Sequence, residues 1–144
     1  MPEQSKELAN LARIGKLSAE PGAPGEIKGL LTSGSERLAD AGNESLALSS
    51  RFDLAYNAAH AFALAALRWH GYRSESRYLV FQALPHTLGV PAAVWRVLAK
   101  AHEVRNVAEY EGHFDGDATM LRNLIEATET VRAAAAALPT LPGS

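Results

Sequence analysis

The stretch from Glu44 to His70 contains neither glycine nor proline. As a helix it would span roughly 40 Å. Leu48, Phe52, Ala55, Ala59, Phe62, Ala66 and Trp69 recur along it at steps of three or four. That spacing draws an apolar stripe down one side of a helix. Leu64 and Leu67 widen the stripe, so the helix has apolar neighbours on more than one side and sits centrally. A chain of 144 residues fits one domain around such an element. At that size a core forms without metal or disulfide support.

Glycine and proline divide the remainder. Glu3 to Leu17 is a first candidate helix, closed by "SAEPGAPG", a cluster that reads as a turn or short linker. Glu26 to Ala41 is a second, with Ile27, Leu30, Leu31 and Leu38 roughly on one face and Gly29 and Gly34 weakening it. Gly71 suits the position just past the long helix. A short helix is expected from Ser76 to about Leu84, or on to Leu88, with Pro85 marking its weak end. Pro91 suits the first turn of the next, which carries Val94, Val97, Leu98, Ala101, Val104 and Ala108 and ends near "EGHFDGD". Asp117 is a fair N-cap for a last helix reaching about Leu138. No stretch alternates as a strand does. The class is therefore all-α, an up-and-down bundle of about five to six helices with a long central one. Residues 1–25 are expected to form an N-terminal helix and linker, 26–138 the bundle and 139–144 a loose tail.

Composition closes several routes to function. Cysteine is absent, which removes disulfides, thiolate chemistry and zinc-finger ligation. "MPEQSKELANLARIG" has no apolar core of a secretory signal. No apolar run approaches the length of a membrane span, so a cytoplasmic protein is expected. "HEVRN" starts like the zinc-protease motif, but Asn106 stands where the second histidine is required. His60, His70, His86, His102 and His113 are otherwise scattered, and no metal or cofactor is expected. No phosphate-binding glycine loop follows a strand, and no serine sits on a nucleophile elbow. The net charge of −2 says little, but its distribution is uneven. Arg68, Arg73, Arg77, Arg96, Lys100 and Arg105 dominate the middle, and Glu109, Glu111, Asp115, Asp117, Glu126 and Glu129 the end. Such a chain presents either a dipolar surface or two ordinary solvated helix faces.

One polar stretch interrupts this pattern. "AHEVRNVAEY" places His102, Arg105, Asn106 and Glu109 within two helical turns, so they share one side. Arg105 falls in line with Leu98, Ala101 and Ala108 on the apolar face. There it either snorkels to water or is paired by a carboxylate or phosphate, because burial alone is costly. Glu109 is its structural partner at i,i+4. Asn106 both donates and accepts, and His102 titrates near neutrality. Arg105, Asn106 and His102 are the candidates for catalysis. On the long helix Tyr56 and His60 lie one turn apart, either lining a groove or half-buried and hydrogen-bonded. Periodicity alone favours an ordinary polar helix edge.

The order of elements is familiar. "SSRFDLAYNAAHAFALAALRWHGYR", then "VFQALPHTLGVP", then "LAKAHEVRNVAEY" together resemble the HEPN superfamily of small all-α domains. The likeness is to the branch whose last motif is Arg, a few residues, an acidic residue and Tyr. It covers roughly Leu30 to Leu138. The resemblance implies a helical bundle, often a symmetric dimer, acting as a metal-independent ribonuclease toxin, as the partner of a nucleotidyltransferase or antitoxin, or as a binding module. Nuclease members carry Arg, often followed by Asn, then His five residues after the Arg. Arg105 and Asn106 match that start, and Tyr110 fills the His position. Tyrosine, with an ordinary pKa near 10, is a poor base at neutral pH. The resemblance therefore implies a non-catalytic domain that dimerises and binds nucleotide, RNA or a protein partner. Its ligand-binding set is Arg105, Asn106, Glu109, Tyr110, Tyr56 and His60. The alternatives are an active ribonuclease and a structural helical adaptor.

Overall fold

A computed structural model describes residues 5–141. The long helix expected in the middle of the chain is α3, Leu48–Trp69. It begins later than Glu44 because Asn43 captures the chain first. The Asn43 side chain accepts from the Ser45 backbone N–H at 3.0 Å, and its carbonyl accepts from Leu46 N–H at 3.2 Å. A side-chain turn of this kind competes with helix for the same groups. α3 buries far more than one stripe: Ala58, Ala61, Ala63 and Ala65 are buried along with Phe52, Ala55, Ala59, Phe62 and Ala66. Its many alanines let neighbouring backbones approach on several sides.

The other elements surround it. α1, Lys6–Arg13, starts on a Ser5 cap that accepts from Leu8 N–H at 3.3 Å. It stops four residues short of Leu17. Gly15 turns left-handed at φ 81°, and the N–H groups of Lys16 and Gly15 fold back onto the carbonyls of Leu11 and Ala12. That double bond is the usual glycine stop of a helix. α2, Pro24–Ala41, begins on the proline and runs against α3. After α3 come α4, Arg77–Gln82, capped by Ser76, and α5, Leu84–Thr87. The single short helix expected here is split, since Pro85 has no N–H to continue the ladder. α6, Ala92–Glu111, ends at Gly112, which is left-handed at φ 79°. α7, Ala118–Ala136, starts on Asp117, which accepts from Met120 N–H at 2.8 Å.

α3 packs chiefly against α2 and α7, α6 lies along α7, and α4 crosses α6. The bundle with a long central helix is therefore present, with two short helices on the α3–α6 connection. Gly34, which reads in sequence as a weak point of α2, marks a close approach of α2 to α3. A Cβ there would stand 2.7 Å from the Phe62 ring. At the far end, the indole N–H of Trp69 donates to the Pro139 carbonyl at 2.7 Å, which ties the segment after α7 to α3. Among the described residues no helix is long and apolar enough to cross a membrane.

One feature has no counterpart in the sequence reading. Two short strands, β1 Ser18–Ala19 and β2 Tyr72–Arg73, pair antiparallel. They frame Arg68, which is only 2% exposed. Its guanidinium donates to the carbonyls of Glu20 at 2.7 Å, Pro21 at 3.0 Å and Tyr72 at 3.1 Å, and to Glu26 Oε2 at 3.1 Å. Glu20 adds an ion pair at 3.0 Å. A buried cation is tolerated where its donors are satisfied in this way. The segment "EPGAPGE" therefore packs as a clamp over Arg68, and Gly22 is needed because a Cβ would collide with the Arg68 carbonyl. The arrangement also redraws the charge map. Arg68 is inside, and Arg73 is held by Glu20 and Glu26.

Candidate functional site

α3, α4 and α6 meet along one polar seam. From α3, Asp53, Tyr56, Asn57 and His60 recur at helical spacing on one side. From α6 come His102, Arg105, Asn106 and Glu109, and from α4 come Arg77 and Tyr78.

Tyr56 is the centre. Its side chain is buried, and its hydroxyl lies 2.9 Å from Nδ1 of His102. Asn106 Nδ2 approaches the other ring nitrogen, Nε2, at 3.1 Å. With the amide in that orientation Nε2 accepts, so Nδ1–H donates to the Tyr56 oxygen. Both nitrogens of His102 are then engaged within the protein. Burial first, and then the charges of Arg105 and Arg77, lower the His102 pKa from its ordinary value. The imidazole is therefore neutral at physiological pH. Burial likewise raises the Tyr56 phenol above its ordinary range, against the opposing pull of Arg77.

Two guanidinium groups stand near the same ring. Arg105 Cζ lies 5.3 Å and Arg77 Cζ 5.5 Å from the Tyr56 ring centroid, within reach of a cation–π attraction. Their partners differ. Arg105 is flanked by Glu109 at 3.0 Å and Asp53 at 3.6 Å. Arg77 donates to the neutral Asn57 amide oxygen at 2.8 Å, and Asn57 is itself held by Asp53 at 3.1 Å. Beside them Tyr78 is 42% exposed, its ring 6.1 Å from His102 and 6.3 Å from Trp95.

The structure thus brings Arg105, Asn106, Glu109, His102 and Tyr56 of the expected set together. His60 sits apart from the hydrogen-bonded group: its ring stands edge-on to Phe81 at 6.0 Å. Burial first, with Arg77 and Arg105, pushes its pKa down to about 4. Tyr110 is 81% exposed, on a different side of α6 from Arg105. Asp53, Asn57, Arg77 and Tyr78 join the site beyond the residues expected from sequence. The signal for the first two was present, since Asp53, Tyr56, Asn57 and His60 follow i, i+3, i+4, i+7 spacing. Among the described residues no three His, Asp or Glu side chains gather to hold a metal ion.

Chemically, the seam offers two cations, amide groups and an exposed aromatic ring. The imidazole nearest the cations, His102, has both ring nitrogens engaged within the protein. Comparison of the chain with protein-family models, curated proteins and solved structures returns no match.

Proposed function

We propose that this chain is a HEPN-like domain that binds a nucleotide or RNA phosphate along the Tyr56 seam without cleaving it, acting as a dimer. The observation that carries the reading is the convergence of Arg77 and Arg105 on one tyrosine ring. Among the described residues Arg77 makes no ion pair; its hydrogen-bond acceptor is the neutral Asn57 amide. Guanidinium groups match phosphate oxygens in geometry and charge. Exposed Tyr78 beside them is suited to stack a base. Two features support binding without cleavage: both ring nitrogens of His102 are engaged within the protein, and Tyr110 stands where the nuclease histidine is required. The partner class carried by the same resemblance is a nucleotidyltransferase or antitoxin encoded beside it.

The test is a titration with short single-stranded RNA and with ATP, alongside an RNA cleavage assay. Binding should weaken in Arg77→Ala and Arg105→Ala, and should weaken with salt. RNA should remain intact. Cleavage abolished by Arg105→Ala would establish the ribonuclease instead. Light scattering should give a mass near twice 15.4 kDa; a monomer would remove the dimer from the reading.

A second reading has its own observation. Arg105 is flanked by two carboxylates, as a packing residue of a structural adaptor would be. The adaptor predicts no nucleotide or RNA binding and a loss of stability in Arg105→Ala.

A further inference from the structure

The seam between α6 and α7 is incompletely filled. A cavity of about 240 Å³ opens there. Phe52, Ala101 and Leu124 form its floor, and all three are buried. Ala101 contributes to it. It stands between Leu98 and Val104 on the buried face of α6, and its methyl leaves the space a larger side chain would occupy. Val97 and Met120 wall the opening. A cavity of this lining gives water few hydrogen-bond partners.

The rim is different in kind. Arg96 and Lys100 stand one turn apart on α6, with Asn123 opposite on α7. Arg96 makes no ion pair or side-chain hydrogen bond among the described residues. The carboxylate nearest Lys100 is Glu103, at 3.5 Å and exposed. Two cations therefore edge an apolar cavity; Glu103, which pairs with Lys100, and Asp115 line the adjoining depression rather than the cavity itself. The cavity shares no residue with the Tyr56 seam.

We propose that this cavity is a binding site for a small amphipathic anion, an apolar chain or ring carrying one carboxylate. The apolar part fills the space over Ala101, and the carboxylate meets Arg96 and Lys100, with the Asn123 amide as a further donor. Size limits the occupant. A cavity of about 240 Å³ has room for several water-sized groups, enough for a chain of medium length. The rim cations select the anion over the equivalent alcohol.

Octanoate and octanol are the matched probes, titrated into the full chain and followed by backbone amide NMR. Octanoate should bind saturably, with a Kd in the range of about 0.1–1 mM and shifts at Ala101, Met120 and Leu124. Octanol should bind several-fold more weakly. Arg96→Glu should weaken octanoate by about five-fold, as expected for reversing one exposed charge contact, and leave octanol unchanged. Ala101→Leu should exclude both. Arg96 is exposed, so its variant carries the test even if Ala101→Leu fails to fold. Three results would overturn the proposal: no saturation with octanoate, equal affinity for octanoate and octanol, or no effect of Arg96→Glu on octanoate. Shifts at these residues that follow protein concentration rather than octanoate would also overturn it, marking a contact between two copies.

Discussion

The Tyr56 hydroxyl and Nδ1 of His102 lie 2.9 Å apart, joining the long helix to α6 at a partly buried point. Tyr56→Phe removes that hydrogen bond while keeping the ring on which Arg77 and Arg105 rest. It should cost about 1–2 kcal/mol. Urea unfolding measures this, and Tyr56→Leu should cost more because the cations lose the ring as well. Equal costs would mean that the ring contributes nothing through its π face.

Arg68→Met should destabilise the fold by at least about 3 kcal/mol. The methionine replaces the stem but leaves the carbonyls of Glu20, Pro21 and Tyr72 without their shared donor. Arg68→Lys should recover only part of the loss, because one ammonium cannot span the fork. Thermal unfolding of the two variants decides the point. A stable Arg68→Met protein would show that water satisfies those carbonyls.

Gly34 and Gly29 lie in the same helix and should respond oppositely to alanine. At Gly34 a methyl meets the Phe62 ring at 2.7 Å, and overpacking there should cost about 1–3 kcal/mol. At Gly29 nothing lies within 4 Å, so alanine should stabilise by about 0.5–1 kcal/mol through helix propensity. Denaturant midpoints of the two single variants provide the comparison.

Stability should fall with pH through His60. Its folded pKa is down at about 4, against about 6.5 when unfolded. The unfolded chain therefore takes up the proton first. The contribution is complete above about pH 6.5, is lost progressively as pH drops toward 4, and then levels off, with a total on the order of 3 kcal/mol. His102 shifts in the same direction. A urea midpoint unchanged between neutral pH and the acid end of that window would contradict this. His60→Gln should flatten the profile.

Glu26 adds a second, more acid window. Its hydrogen bond to Arg68 is the chief reason its pKa is lowered. A carboxylate of this kind contributes stability above its unfolded pKa of about 4.3, and that contribution disappears as pH falls through the lowered folded value. Glu26→Gln should therefore lose stability at neutral pH and converge with the parent chain in stronger acid. Parallel unfolding curves at all pH values would refute the coupling.

The sequence spoke clearly where structure is local. The Gly/Pro-free run, the Asp117 cap and the Gly71 stop each act within a turn of their own position, and α3 and α7 follow from them. Asn43 is local too: its contacts to Ser45 and Leu46 delay α3 to Leu48. The clamp on Arg68 was out of reach because its acceptors at Glu20, Pro21 and Glu26 lie more than forty residues upstream. Periodicity carries no information over that span. The candidate site divides the same way. His102, Arg105, Asn106 and Glu109 share one helix and could be grouped by spacing. Arg77 joins them only through the packing of α4 against α3 and α6.

Three of the acceptors around Arg68 are carbonyl oxygens, at Glu20, Pro21 and Tyr72. No side-chain replacement at those positions removes them. A salt bridge between two side chains can be exchanged or lost by paired mutation, but this requirement is written into the path of the main chain. Descendants of this sequence can vary Glu20 or Glu26 and keep the need for a cation at position 68. They can dispense with Arg68 only by rerouting or deleting the segment that crosses it.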